Sequence, residues 1–253
     1  MLGAKGCDRL FSQSFANFLR RSIQVATKNS VKAHPKKKAP PALPQTLSDR
    51  VYVQLEEMLV TLQIQPGHVL SESELCKQLK VSRTPVGEAL QRLAREGLVN
   101  ILPRRGIVVT EVNPLDHLRL LEVRREIARY SSRSAAKRSR PDEKLEMGEI
   151  ARKLIDAAKA HDGQALLQAD KEFHDLFSRC IHNEYASKSL DSLDALSRRF
   201  YFLHHELDDA HKSAQLHSNI ALAISAGDMQ AAELASDALF DHLEQFTRST
   251  IEL

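Results

Sequence analysis

Asp170 and His174 stand four residues apart in the run Leu166, Asp170, Phe173, His174, Phe177, Ile181, whose apolar members recur at helical spacing. On a helix that spacing separates the two polar residues by roughly 40° and 6 Å, close enough to grip one ion. His217 takes an inward position among Ala214, Ile220, Ala221 and Ile224, and His242 does so among Ala235, Ala238, Leu239, Leu243 and Phe246. A single buried histidine is ordinarily a hydrogen-bonded core residue. One carboxylate and three imidazoles aimed at one interior are another matter. A buried carboxylate without a cation is costly, and these O and N donors suit a divalent ion such as zinc, nickel or manganese. Arg124 also faces inward, among Leu120, Leu121, Ile127 and Ala128. A buried guanidinium needs a partner, which is either the carboxylate of a bound small acid or a protein acid such as Asp170.

An open Asp/His metal site could activate water, as metal hydrolases do. The chain has no His-Glu-x-x-His pair, however, and no motif places a base beside the ligands, so an enzyme is not expected. A purely structural metal, with no small-molecule effector, is the other alternative.

The elements that must position these residues are helical throughout. Asn113 caps and Pro114 begins a long helix to about residue 138. Pro141 and Asp142 open another, with Met147, Ile150, Ala151, Leu154, Ile155 and Ala158 as its buried stripe. Further helices are predicted over 163–181, 184–206, 210–226 and 228–251, punctuated by Asn183, Asp208-Asp209 and Gly227. Residues 113–253 therefore read as one all-α bundle of six or seven helices.

Residues 46–112 follow a different pattern. Val51, Leu55, Leu59 and Leu62 face inward from a helix over 48–62 that Pro66-Gly67 stops. Ser71 with Glu74 forms a capping box ahead of Leu75 and Leu79. Ser82 reads as the N-cap of the next helix, Pro85 sits in its first turn, and Val86, Leu90, Leu93 and Ala94 give its buried stripe before Gly97 closes it. Leu98 to Leu102 and Ile107 to Thr110 are apolar and β-rich, with Pro103-Arg104-Arg105-Gly106 as a hairpin turn between them. Three helices plus a hairpin wing make a winged helix-turn-helix, and two arginines at the wing tip suit a phosphate backbone or a minor groove.

This ordered series, Pro66-Gly67, Leu70-Ser-Glu, Val81-Ser-Arg-Thr-Pro-Val86 and Glu96-Gly-Leu-Val99, resembles the winged helix-turn-helix of the GntR family of bacterial transcription regulators. The resemblance implies a partner, double-stranded operator DNA. It implies that Arg83 and Thr84, with Ser82 beside them, contact DNA at the start of the recognition helix, and that Arg104, Arg105 and Gly106 form the wing tip. Arg92 is a further candidate contact or a solvated helix charge. Gly87 departs from the pattern, standing where the family usually has a second recognition-helix arginine, and Ser73 replaces a basic contact of some members. The patterns Asp170-Lys-Glu-Phe-His174, Ile181-His-Asn183, His217-Ser-Asn-Ile-Ala and Asp241-His-Leu243 look like the FCD, or fatty-acid-regulator type, C-terminal domain. That resemblance implies metal ligands at Asp170, His174, His217 and His242, and pocket residues Arg124, for an effector carboxylate, and Asn183. The expected protein is a homodimeric regulator, most simply a repressor, whose operator affinity responds to a small organic acid bound beside a metal ion.

Charge is distributed unevenly. Residues 1–45 carry nine basic side chains against Asp8, a net of +8, so the rest of the chain carries −5 of the overall +3. This Pro- and Lys-rich segment reads as a disordered arm or an over-extended start. Leu10, Phe11, Phe15, Phe18 and Leu19 on one helical face would suggest a transit peptide in a eukaryotic protein, but the helix-turn-helix resemblance implies a bacterial source. Cys7, Cys76 and Cys180 are odd in number and scattered, which fits a reducing cytoplasm, with the protein on the nucleoid when operator-bound. No apolar run approaches a membrane span.

Overall fold

Thr46 starts the first helix, α1 (Leu47–Val60): its hydroxyl accepts from the Asp49 N–H while the Asp49 carboxylate accepts from the Thr46 N–H. This capping box begins the helix ahead of the expected start at 48. The computed structural model describes residues 46–103, 106–204 and 207–251. The basic segment 1–45 and the wing-tip residues Arg104 and Arg105 lie outside the described residues.

Strand β1 (Val69–Leu70) leads to α2 (Glu72–Leu79), which Ser71 caps by accepting from the Glu74 N–H. Lys80 then turns the chain through the left-handed region into α3 (Arg83–Arg95), the recognition helix. Ser82 is in the N-cap place but makes no capping hydrogen bond with its side chain, contrary to the expectation. Gly97, at φ +78°, closes α3 where a side chain would be strained. Strands β2 (Val99–Leu102) and β3 (Gly106–Val109) form the wing hairpin, with Ile101 opposite Ile107. The expected two-stranded wing is in fact a three-stranded antiparallel sheet in the order β1-β3-β2. Two residues of β1 were too few to show alternation.

Six further helices follow among the described residues: α4 (Pro114–Arg138), α5 (Pro141–Lys159), α6 (Gly163–Cys180), α7 (Glu184–His204), α8 (Leu207–Ala226) and α9 (Met229–Ser249). Asn113, Asp162, Asn183 and Asp228 cap four of them through their side-chain oxygens, which explains the punctuation legible in the sequence. Asp208 and Asp209 lie within the first turn of α8 instead of breaking the chain before it. Helix α4 packs on α7, α8 and α9, while α5 packs on α6 and α8. Leu121, Met147, Leu154, Phe173, Leu176, Ile224 and Phe240 fill the interior. Along the α4–α9 seam Arg125, Arg129 and Arg133 reach Asp241, Asp237 and Glu233 at 2.8, 2.6 and 2.6 Å.

The winged domain has its own core, drawn from Leu55, Leu59, Val86, Leu90, Leu93, Leu98 and Val109. One member comes from elsewhere: Ala195 of α7 is buried in it, with Leu196 packed alongside. The neighbouring Arg199, only 3% exposed, donates to the Leu98 carbonyl (3.4 Å), the Thr110 hydroxyl (2.8 Å) and the Glu111 carbonyl (3.5 Å). Burial pushes its guanidinium down to about 10, so it stays charged at neutral pH. Arg199→Ala would leave these acceptors without that donor, and urea unfolding is expected to show a loss of roughly 1–3 kcal/mol. An unchanged midpoint would show that the clamp contributes nothing.

A second buried polar chain ties α4, α7 and α9 together. Arg124 can only donate, so Ser197 Oγ accepts from it at 3.1 Å and sends its own proton to His117 Nε2 at 3.0 Å. The Thr247 hydroxyl donates to the Leu243 carbonyl (2.7 Å) and so accepts from His117 Nδ1–H (2.9 Å), which leaves Nε2 as the acceptor of the Ser197 proton. The ring is stacked on Phe200 with centroids 3.9 Å apart. Burial, followed by the charges of Arg124 and His204, pushes His117 down to about 3 from an ordinary 6.5. The unfolded chain takes up this proton first as pH falls, so the stability held by neutral His117 is complete above pH 6.5 and is lost from there towards pH 3. The loss approaches about 1.4 kcal/mol per pH unit for one group. Urea titrations at a series of pH values should give a shallower acid slope for His117→Gln; equal slopes would remove His117 as the cause.

Candidate functional site

Helix α6 presents Asp170 and His174 one turn apart, and α8 brings His217 against them. Asp170 Oδ1 is 3.4 Å from His217 Nδ1 and Asp170 Oδ2 is 3.7 Å from His174 Nε2. One ligand atom from each of the three residues lies within 4.8 Å of the others. Bonds of about 2.1 Å to a tetrahedral divalent ion place neighbouring donors roughly 3.4 Å apart, so donor type and spacing fit such an ion. Burial pushes the His217 imidazole down to about 4 against the pull of Asp170, which favours the neutral ring that a metal requires. Phe173 packs against both imidazoles and fixes their apolar side.

His242, the fourth expected ligand, is not in this group among the described residues. It is half-buried on α9, which packs on α8, the helix that carries His217.

Arg124 lies in the same interior: its charge, with that of His174, depresses His217. Its side chain is 9% exposed. The expected protein partner was Asp170, but the carboxylate that pairs with it is Asp194 of α7. Burial alone would push the Asp194 carboxyl up; Arg124, then His174, Arg198 and His217, hold it down at about 2. The guanidinium also donates to Ser197 and lies 5.3 Å from the centroid of the Phe240 ring, while its buried Nε has no hydrogen-bond partner among the described residues. Asn183 is committed elsewhere: its amide nitrogen donates to the Tyr130 hydroxyl at 2.8 Å and its oxygen caps α7.

Sequence reasoning missed three residues of α7. Asp194 holds Arg124 on one side, and on the other Arg198 reaches Glu56 (4.0 Å) and Glu57 (3.5 Å) of α1. Desolvation lowers the Arg198 guanidinium, but Asp194, Glu57, Glu56 and Asp170 outweigh it and raise it. Arg199 clamps the sheet and the chain leading out of it. The signal was an i,i+4 Asp-Arg pair, which reads as an ordinary surface pair on any helix.

On the winged domain, Val86, Ala89, Leu90 and Leu93 bury one face of α3. The opposite face carries Arg83, Thr84, Gly87, Glu88, Gln91 and Arg95 around a shallow hollow of about 470 Å³. Ser82, Arg83 and Thr84 are exposed at the helix start. A side chain added at Gly87 would meet nothing within 4 Å, so packing does not demand a glycine there. Arg92 is placed differently: it lies over the Tyr52 ring at 3.5 Å and donates to Glu96 at 3.1 Å, which holds it against α1. Gly106, at φ +88°, begins β3 in the region that favours glycine.

Residues 47–109 match the model of bacterial regulatory proteins of the gntR family, and residues 119–244 match the FCD domain. A regulator from an unstable DNA locus of Streptomyces ambofaciens is 32% identical over 212 residues, covering 80% of this chain and 87% of that one. The transcriptional repressor RspR of Escherichia coli is 25% identical, covering 83% of this chain and 91% of its own. Among solved structures, E. coli McbR/YncC superposes with a TM-score of 0.68 at 18% identity, covering 81% of this chain and 99% of that one, a likeness of fold. No described helix is long and apolar enough to cross a membrane. A recognition helix with an open polar face, set ahead of an FCD bundle and matched along most of its length by such regulators, makes this chain a member of the GntR family, a DNA-binding transcription regulator and not an enzyme.

Proposed function

We propose that the chain is a cytoplasmic repressor whose operator affinity is set by a small organic acid bound within the FCD bundle. The observation that carries this reading is Arg124: a guanidinium nine-tenths buried, with an unpartnered Nε, beside an Asp/His/His donor set. A carboxylate is the group that accepts two parallel hydrogen bonds from one edge of a guanidinium. Asp170, His174 and His217 would hold a zinc, nickel or manganese ion. When bound, such an ion supplies positive charge and open positions for an oxygen ligand. Arg124 orients the acid, Phe240 walls the site, and the neutral His117–Ser197 chain keeps the guanidinium in register. Repression is supported by the description of the E. coli relative as a repressor.

Arg83 and Thr84, with Ser82, would read base edges in the major groove, and Arg104, Arg105 and Gly106 would follow the adjacent backbone. Two copies paired through their helical domains would place two such helices on a palindromic site. Arg92, held by Tyr52 and Glu96, serves better as a brace for α3 than as a base contact.

The test is a thermal-shift screen of the metal-loaded protein against small carboxylic acids, followed by operator titrations. A ligand that binds only the folded state raises the melting temperature by mass action. Arg124→Ala is expected to keep operator binding and lose the acid response; a response that survives would refute the role. Arg83→Ala should weaken operator binding by roughly 1–3 kcal/mol if it reads a base. For the metal, His174→Ala should bind less metal by elemental analysis and melt at a lower temperature than the loaded parent. Equal metal content in the two proteins would remove His174 from the site.

A further inference from the structure

The residues that hold the winged domain and the residue that neutralises Arg124 occupy six consecutive positions of α7. Asp194 pairs with Arg124 and Ser197 accepts from it. Ala195 is buried in the core of the winged domain and Leu196 packs on it. Arg198 reaches Glu56 and Glu57, and Arg199 donates to Leu98, Thr110 and Glu111. On a helix, positions 194 and 197 lie about 60° apart, 195 and 199 lie about 40° apart on the next side, and 198 falls between them, so this segment lies between Arg124 and the winged domain.

Asp194 is also a carboxylate of the protein placed where the Arg124 guanidinium would meet the carboxylate of a small acid. Both compete for the same donors, and one guanidinium end cannot pair fully with two carboxylates in one geometry. The pair is imperfectly satisfied, since Arg124 Nε lacks a hydrogen-bond partner.

We propose that Asp194 is a built-in competitor for the effector: the incoming acid displaces it from Arg124, and the released α7 segment loosens its hold on the winged domain through Arg198 and Arg199. The inference rests on the acid-sensor reading and adds what that reading leaves open, namely which contact the acid breaks and how the break reaches α1 and the sheet. It requires no motion through the metal centre. A ligand shifts a conformational balance only by binding one state better, and here the difference is the guanidinium made available when Asp194 leaves.

The experiment uses the full-length, metal-loaded protein with lactate, malate, succinate and gluconate as probes, titrated calorimetrically into the parent, Asp194→Asn and Arg124→Ala. Removing the internal charge should raise the affinity for the probes that bind by about ten-fold or more, because the competent fraction rises towards one. Asp194→Asn should also bind operator without acid as the parent does with acid. Tighter binding in Asp194→Asn, absent in Arg124→Ala, supports the inference. Acid bound by the parent through Arg124 with unchanged affinity in Asp194→Asn overturns it alone. No acid bound by either the parent or Asp194→Asn overturns both it and the acid-sensor reading. If Asp194→Asn does not fold, hydrogen exchange on the parent decides: a bound acid should speed exchange in 194–199 and 98–111, and unchanged exchange there overturns the inference.

Discussion

A guanidinium withdrawn from water must be answered by charge or by hydrogen bonds, because it cannot lose its proton. In this chain the burial of Arg124 sets the terms for three helices around it. Asp194 supplies the opposite charge, Ser197 supplies an acceptor, and the ring of Phe240 lies beside the guanidinium. The Thr247 hydroxyl donates to the Leu243 carbonyl and so accepts from His117 Nδ1–H, which leaves Nε2 of the neutral ring to accept from Ser197. A single buried cation thus orders a chain of contacts from α4 through α7 to α9. The same cation lies close enough to His217 to help keep that ring neutral, the state in which it can ligate a metal.

Helix α7 is where this interior meets the rest of the molecule. Charged residues on the surface of a helix contribute little when they face water. Arg199 does not face water: it is almost wholly buried against backbone carbonyls and a hydroxyl, with no carboxylate within ion-pair distance among the described residues. A hydrophobic side chain could fill space at less cost, so what the arginine adds is a directional hold on the strand end and on the segment that leads into α4. The recognition helix is fastened from the other side by Arg92, Tyr52 and Glu96, leaving Arg83 and Thr84 exposed. The winged domain is therefore braced by a buried arginine from α7 and by an exposed one laid over Tyr52, and the face of α3 left open is the one suited to DNA.

Much of this was legible before any coordinates. The winged helix-turn-helix could be read from caps, a proline in a first turn and one buried stripe, because each is a local signal. The bundle followed from helical periodicity, and Asp170, His174 and His217 stood out because polar residues on apolar stripes are conspicuous. What could not be read depends on helices distant in sequence. Arg124 has the same periodic signature as its apolar neighbours, and periodicity says which face is buried without saying against what, so that Asp194 and not Asp170 pairs with it could not be read. Asp194 was hidden because an Asp four residues before an Arg reads as an ordinary surface pair on a helix, whereas here Asp194 pairs with Arg124 and Arg198 reaches Glu57. The two-residue strand β1 was invisible for a simpler reason, since it is defined by its partner β3 and not by any pattern of its own.

The strength of the Arg124–Asp194 contact decides whether such a site can act as a switch. A pair with every donor answered would be too stable for a small acid to open, and an arginine with no partner would leave a buried charge that the fold could not carry. The observed arrangement lies between these limits: one carboxylate and one hydroxyl are engaged, and one buried N–H is left over. Allosteric coupling is typically worth about 1–3 kcal/mol, of the order of one or two hydrogen bonds to a charged group. An acid that satisfies the leftover donor as well as those Asp194 now holds gains a difference of that size. Because the competing carboxylate is carried by the helix that also clamps the DNA-binding domain, under the proposed mechanism that gain would go into moving this helix and not into tightening the pocket alone.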